Sequence, residues 1–136
     1  MAEMDKSELA IKGKDWSSFF SRNAEEELPL SVILQRDFVG EEDELGYKLL
    51  HHFFKAAQED ENQGILILIH KAAKMACEGS PYLADLLALS QKGWKIFVCT
   101  LSIEKMSLKE KLITGEEIEM HDIFRVLKES YKVISL

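Results

Sequence analysis

The sequence predicts an α/β fold: a three-layer α/β/α domain built on a mainly parallel, doubly wound sheet of the flavodoxin- or Rossmann-like kind. Three observations carry this. Short runs rich in β-branched residues alternate with amphipathic stretches, strand then helix, from residue 29 to residue 136. One of those runs, Ile65-Leu66-Ile67-Leu68-Ile69, is apolar throughout and reads as a strand buried on both faces, which parallel sheets require. Each connection is long enough to hold a crossover, and such crossovers are right-handed.

Residues 1–28 precede this pattern as a polar, charged lead. Asp15 is placed to cap a short helix carrying Trp16, Phe19 and Phe20, which ends in the acidic run Glu25-Glu26-Glu27. The domain itself is expected over residues 29–136. After Pro29, Leu30-Ser31-Val32-Ile33-Leu34 is the first strand. Asp43 then caps a helix with Leu45, Leu49, Leu50, Phe53, Phe54 and Ala57 on one broad face and Lys48, His51 and Lys55 opposite. His51 and His52 are adjacent, so on a helix they point about 100° apart and are read as exposed or boundary residues rather than a ligand pair.

The second strand ends at His70. Gly79-Ser80-Pro81 announces the next helix, with Ser80 as N-cap, and Gly93 terminates it. The strand from Lys95 to Cys99 follows. Ser107-Leu108-Lys109-Glu110 has the spacing of a capping box and predicts a short helix ending near Thr114-Gly115. A last helix over about Met120 to Ser130 is expected to bury Met120, Ile123, Phe124 and Leu127, before a closing strand over Tyr131 to Ile134.

Composition excludes several function classes. The 136 residues suit one core, and no apolar run approaches the length of a membrane span. The first fourteen residues lack the apolar centre of a secretion signal. Two cysteines make no disulfide framework and fit a reducing, cytoplasmic setting. A formal net charge of -7 with no basic stripe argues against nucleic acid. There is no G-x-S-x-G elbow, no phosphate-cradling glycine motif and no close pair of metal-ligand residues. Neither a cofactor nor a metal is therefore expected.

Several blocks, in order, make residues 30–136 resemble a known family. They are Asp43-Glu44-Leu45-Gly46 leading into Leu49-Leu50-His51-His52-Phe53; Cys77-Glu78-Gly79-Ser80-Pro81; Lys92-Gly93-Trp94-Lys95-Ile96-Phe97-Val98-Cys99; Ser107 to Gly115; and Met120 before the last helix. The ordered set is similar to the DsrE-like sulfur-relay family, and nearest to the carboxyl-terminal domain of YedF-type selenium-metabolism proteins. That resemblance implies a trimer or hexamer, and a persulfide-accepting cysteine at the position of Cys99. The resembling pattern continues Cys-Gly-Thr-Cys-Leu, whereas this chain has Cys99-Thr100-Leu101-Ser102-Ile103. Ser102 replaces the second cysteine, so no C-x-x-C redox couple is available. The loops at His70-Lys71-Ala72-Ala73-Lys74 and Glu119-Met120-His121 also depart from it.

Position points to Cys99 as well, because ligands and chemistry in open α/β sheets collect beyond the carboxyl ends of the strands. A thiolate is the species that takes up sulfane sulfur, so a reactive Cys99 needs cations or a helix N-terminus to lower its pKa from about 8.5. The supporting residues on offer are His70, Lys71, Arg36, His121 and Ser102. The plainer reading makes Cys99 a buried structural thiol, and His70 a residue bonded to loop backbone. Cys77 is read as packing. Two functions follow. One is a sulfur or selenium relay protein, a sulfurtransferase-like carrier that takes a persulfide on Cys99 from a donor protein and passes it to an acceptor thiol. The other is a non-catalytic homo-oligomeric scaffold or small-ligand-binding protein that keeps the fold without the chemistry.

Overall fold

The computed structural model describes residues 28–136. Within them the chain runs β1 (Ser31–Leu34), α1 (Glu44–Glu59), β2 (Ile65–Leu68), a 3-10 segment (His70–Ala76), α2 (Leu83–Gln91), β3 (Lys95–Cys99), α3 (Thr100–Lys105), a 3-10 turn (Lys109–Lys111), β4 (Glu116–Ile118), α4 (Met120–Glu129) and β5 (Val133–Ser135). The five strands form one sheet in the order β4-β3-β2-β1-β5. All four pairings are parallel, with Ser31 opposite Ile65, Ile65 opposite Lys95, Phe97 opposite Glu116 and Ser31 opposite Val133. The α/β class expected from the sequence is the one observed. The helix expected behind Asp15 lies outside the described residues.

Strand alternation divides the core into two layers. Val32, Leu34, Leu66, Leu68, Ile96 and Val98 point to a first face, where they meet Leu50 and Phe54 of α1 and Leu86 and Leu89 of α2. Ile65, Ile67, Phe97, Cys99 and Ile118 point to the second face and meet Ile123 and Val126 of α4 and Leu28. All four residues of β2 are buried, as its unbroken apolar run requires.

The differences from the sequence reading have local causes. Ser80 does not cap α2; its Oγ accepts from the Tyr82 N–H at 3.0 Å in a turn, and the helix begins at Leu83. Ser107 caps nothing either, since its φ of 57° is left-handed, and only a single 3-10 turn follows. The helix of this region, α3, instead starts directly from the strand with Cys99 at its N-cap position. β4 is a strand that the sequence reading left out.

Helix faces are also narrower than expected. On α1 the inward direction is set by Gly46, Leu50 and Phe54. Leu45 and Leu49 lie roughly 100° or more away on the helical wheel and are exposed. On α4 it is set by Ile123 and Val126, so Met120 and Phe124 project outward, Phe124 with 66% of its surface exposed. Gly46 admits no side chain because a Cβ there would overlap the Glu41 carbonyl oxygen, where the loop after β1 folds back over α1. That loop is held by Gly46 N–H donating to Asp43 Oδ1 (2.8 Å) and Val39 N–H donating to the Gly46 carbonyl (3.0 Å).

Candidate functional site at the carboxyl edge of the sheet

Every residue singled out from the sequence follows the carboxyl end of a strand: Arg36 after β1, His70 and Lys71 after β2, Cys99 and Ser102 around the end of β3, His121 after β4. Of these, His70 and Ser102 meet through a hydrogen bond, while the Cys99 side chain is buried in the core. Cys99 is 3% exposed and faces the second layer, among Ile67, Phe97, Ile118, Ile123 and Val126. It lies in register with Ile118. Its thiol makes no cap to α3.

His70 takes a left-handed conformation (φ 54°), and its backbone N–H donates to Ser102 Oγ at 2.8 Å. This bond joins the β2 exit to the first turn of α3, and it uses the His70 backbone rather than its imidazole. The His70 and Lys71 side chains are exposed, as is His121 in the first turn of α4. Arg36 is also exposed, and its guanidinium lies 5.4 Å from the centre of the Phe38 ring. Among the described residues, no three His, Cys, Asp or Glu side chains are grouped to hold a metal ion.

The second thiol occupies a different place. Cys77 joins the first-face layer, so the strands separate the two cysteines. It lines a cavity of about 250 Å³ at the carboxyl ends of β1 and β2, whose apolar wall is Met75, Cys77, Tyr82 and Leu108. Asp37, Lys74, Glu78 and Lys111 bring both signs of charge to the same space. Cys77 Sγ donates to the Ala73 carbonyl at 3.5 Å. Burial pushes its thiol up from the usual range, and the nearby Lys111 ammonium offsets part of that rise.

A polar cluster that the sequence reading missed holds α1 to α2. Asp85 is 5% exposed, and its Oδ2 lies 2.8 Å from His51 Nδ1. Gln58 Nε2 donates to Asp85 Oδ1 at 3.4 Å, and Lys55 Nζ is 3.8 Å from the same oxygen. The His51 ring stacks on Tyr82 with centroids 4.3 Å apart. Tyr82 in turn donates its hydroxyl to the Asp37 carbonyl at 2.7 Å, and burial pushes its pKa up to about 12. His51 is therefore a partner in a helix–helix contact, not a residue of the open face. The signal available in the sequence was Asp85 itself, a carboxylate set among leucines where an inward position demands a partner.

No family model and no curated protein matches the chain. Among solved structures it is similar to the ychN protein of E. coli, with a TM-score of 0.62 at 15% identity over 82% of this chain and 100% of that one. It is also similar to BT1422 of Bacteroides thetaiotaomicron, a conserved protein of unknown function (TM-score 0.62, 16% identity, 79% of this chain and 94% of that one). A third is MTH1491 of Methanobacterium thermoautotrophicum, likewise of unknown function (TM-score 0.59, 14% identity, 78% and 99%). What this chain shares with these three proteins is the fold.

Proposed function

We propose that this is a homo-oligomeric, small-ligand-binding domain with a DsrE-like fold that works without thiol chemistry at Cys99. The observation that carries the reading is the surroundings of that sulfur. A nucleophilic or sulfur-carrying cysteine sits in an electropositive, partly exposed environment, whereas a structural one is buried in apolar surroundings and inert. Cys99 has the second kind of environment. The cavity beside Cys77 lies beyond the carboxyl ends of β1 and β2, where a fold of this kind binds ligands, and offers that function a place. Exposed Met120, Phe124 and Leu101 give the domain apolar surface to bury against further copies.

A second reading, the relay, is favoured by one specific observation: Cys99 stands at the exit of β3, where the resembling family carries its persulfide. On that reading Cys99 takes sulfane sulfur from a donor protein's persulfide and yields it to an acceptor thiol, with Ser102 leaving no resolving cysteine.

Thiol labelling separates the two. With iodoacetamide at neutral pH, the native protein is expected to leave Cys99 unmodified for as long as it stays folded, while urea exposes both cysteines. Rapid native labelling that disappears in Cys99→Ser would reverse the preference and make the relay the better account.

A further inference from the structure

Four charged side chains line the cavity beside Cys77, two of each sign: Asp37 and Glu78, Lys74 and Lys111. Among the described residues none of the four forms an ion pair, either within the set or outside it. Other surface charges do pair, as Lys48 does with Glu44 and Lys109 with Glu117. Opposite charges that share one space without meeting are each left able to make a charge-assisted bond to a bound molecule.

The backbone holds these groups in place. The Glu78 N–H donates to the Lys111 carbonyl at 2.8 Å and the Ile113 N–H to the Ala76 carbonyl at 2.8 Å. Cys77 is bridged antiparallel to Leu112, so residues 76–78 and 111–113 form a short ladder beside the cavity. Gly79 turns the chain at φ 87°, and the Ser80 N–H closes that turn on the Cys77 carbonyl at 3.1 Å. Next to β1, the Asp37 carbonyl is fixed by the Tyr82 hydroxyl at 2.7 Å.

The two signs are sorted within the space. Burial raises the pKa of both Cys77 and Tyr82; the Lys111 ammonium offsets the first rise, and the Asp37 carboxylate adds to the second. A cation therefore stands near Cys77 and a carboxylate near Tyr82, beside an apolar wall that also includes Met75 and Leu108. At about 250 Å³ the cavity is smaller than the roughly 300–1,000 Å³ of sites for drug-sized ligands. It has the volume of about eight waters at roughly 30 Å³ each, which is the scale of a free amino acid.

We propose that this cavity binds a small zwitterion, a free α-amino acid with a medium-sized apolar side chain. Lys111 and Lys74 take its carboxylate, Asp37 and Glu78 its ammonium, and Met75, Tyr82 and Leu108 its side chain. The proposal rests on the ligand-binding reading above and names the class of ligand. A plain anion is the poorer occupant, because two carboxylates line the same space, and a plain cation meets the two lysines in the same way.

Titration of the full chain with L-leucine, isocaproate and isoamylamine, followed in two-dimensional amide spectra, tests this. Isocaproate is leucine without its ammonium, and isoamylamine is leucine without its carboxylate. Leucine should shift Glu78, Gly79, Ser80 and Lys111, and bind at least about tenfold more tightly than either truncated probe, since each lacks one charge-assisted contact. Lys111→Met should weaken leucine and isocaproate but spare isoamylamine. Asp37→Asn should weaken leucine and isoamylamine but spare isocaproate. The comparison of the three probes on the wild type stands without either variant. Isocaproate or isoamylamine binding here as tightly as leucine would overturn the zwitterion and leave a ligand site in place. Leucine shifts confined to another surface would overturn the assignment to this cavity. No response to any of the three would overturn the proposal and take from the ligand-binding reading its place in the structure.

Discussion

Tyr82 joins three parts of the molecule through one ring: it stacks on His51, sits edge-on to Phe54 at 5.8 Å and bonds the Asp37 carbonyl. Its pKa is raised to about 12, first by burial and then by nearby carboxylates. The folded state thus holds the phenolic proton more tightly than an unfolded tyrosine, whose pKa is about 10. The resulting stability is complete below pH 10 and is lost as pH rises from about 10 towards 12. Urea midpoints measured across that range should fall more steeply for the wild type than for Tyr82→Phe. At neutral pH the same variant should cost about 1 kcal/mol for the lost hydrogen bond. Asp85 makes a larger contribution because it is buried and charged, so Asp85→Ala should lower stability by about 1–3 kcal/mol and Asp85→Asn by less. Equal losses for the two variants in urea denaturation would mean that packing, rather than the His51 and Gln58 contacts, accounts for the effect.

At the scale of elements, legibility tracked the strength of hydrophobic periodicity. β1, β2, β3 and the bodies of α1 and α2 announce themselves through apolar runs and spacing. β4 does not, because two of its three residues are glutamates. Their charge is handled at the sheet edge, where Glu116 pairs with Lys95 at 3.1 Å and Glu117 with Lys109 at 2.9 Å. A strand whose charges are paired by Lys95 of β3 and Lys109 of the 3-10 turn cannot be recognised from its own residues. α3 stays hidden for a different reason, since it lacks a side-chain cap and begins where β3 stops. The position of Cys99 at a strand exit was legible, but its surroundings were not. Alternation sends it to the same side as Phe97, and what covers that side depends on α4, which begins some twenty residues later in the chain. Close approach between elements yields a separate prediction. A Cβ on Gly64 would come within 2.8 Å of the Trp94 ring and 2.9 Å of the Leu30 carbonyl oxygen. Gly64→Ala should therefore cost about 1–3 kcal/mol by overpacking, read as a lower urea midpoint with an unchanged slope.

For the molecule as a whole, what is shared with known structures is the fold. The resemblance to ychN, BT1422 and MTH1491 is one of architecture at 14–16% identity. Among the described residues no helix is long and apolar enough to cross a membrane. Met120 and Phe124 project outward from α4, and the proposed trimer or hexamer would bury them between copies. Light scattering should find that assembly, and Phe124→Glu should dissociate it with little change in the urea midpoint of the folded chain. A wild-type monomer at all concentrations would remove the oligomer from the account. The central claim, that the thiol at the β3 exit is closed to sulfur transfer, is tested most directly by intact-mass spectrometry after incubation with a persulfide donor. The account predicts an unchanged mass for the folded protein. A gain of about 32 Da, one sulfur atom, that is absent in Cys99→Ser and present in Cys77→Ser would contradict it.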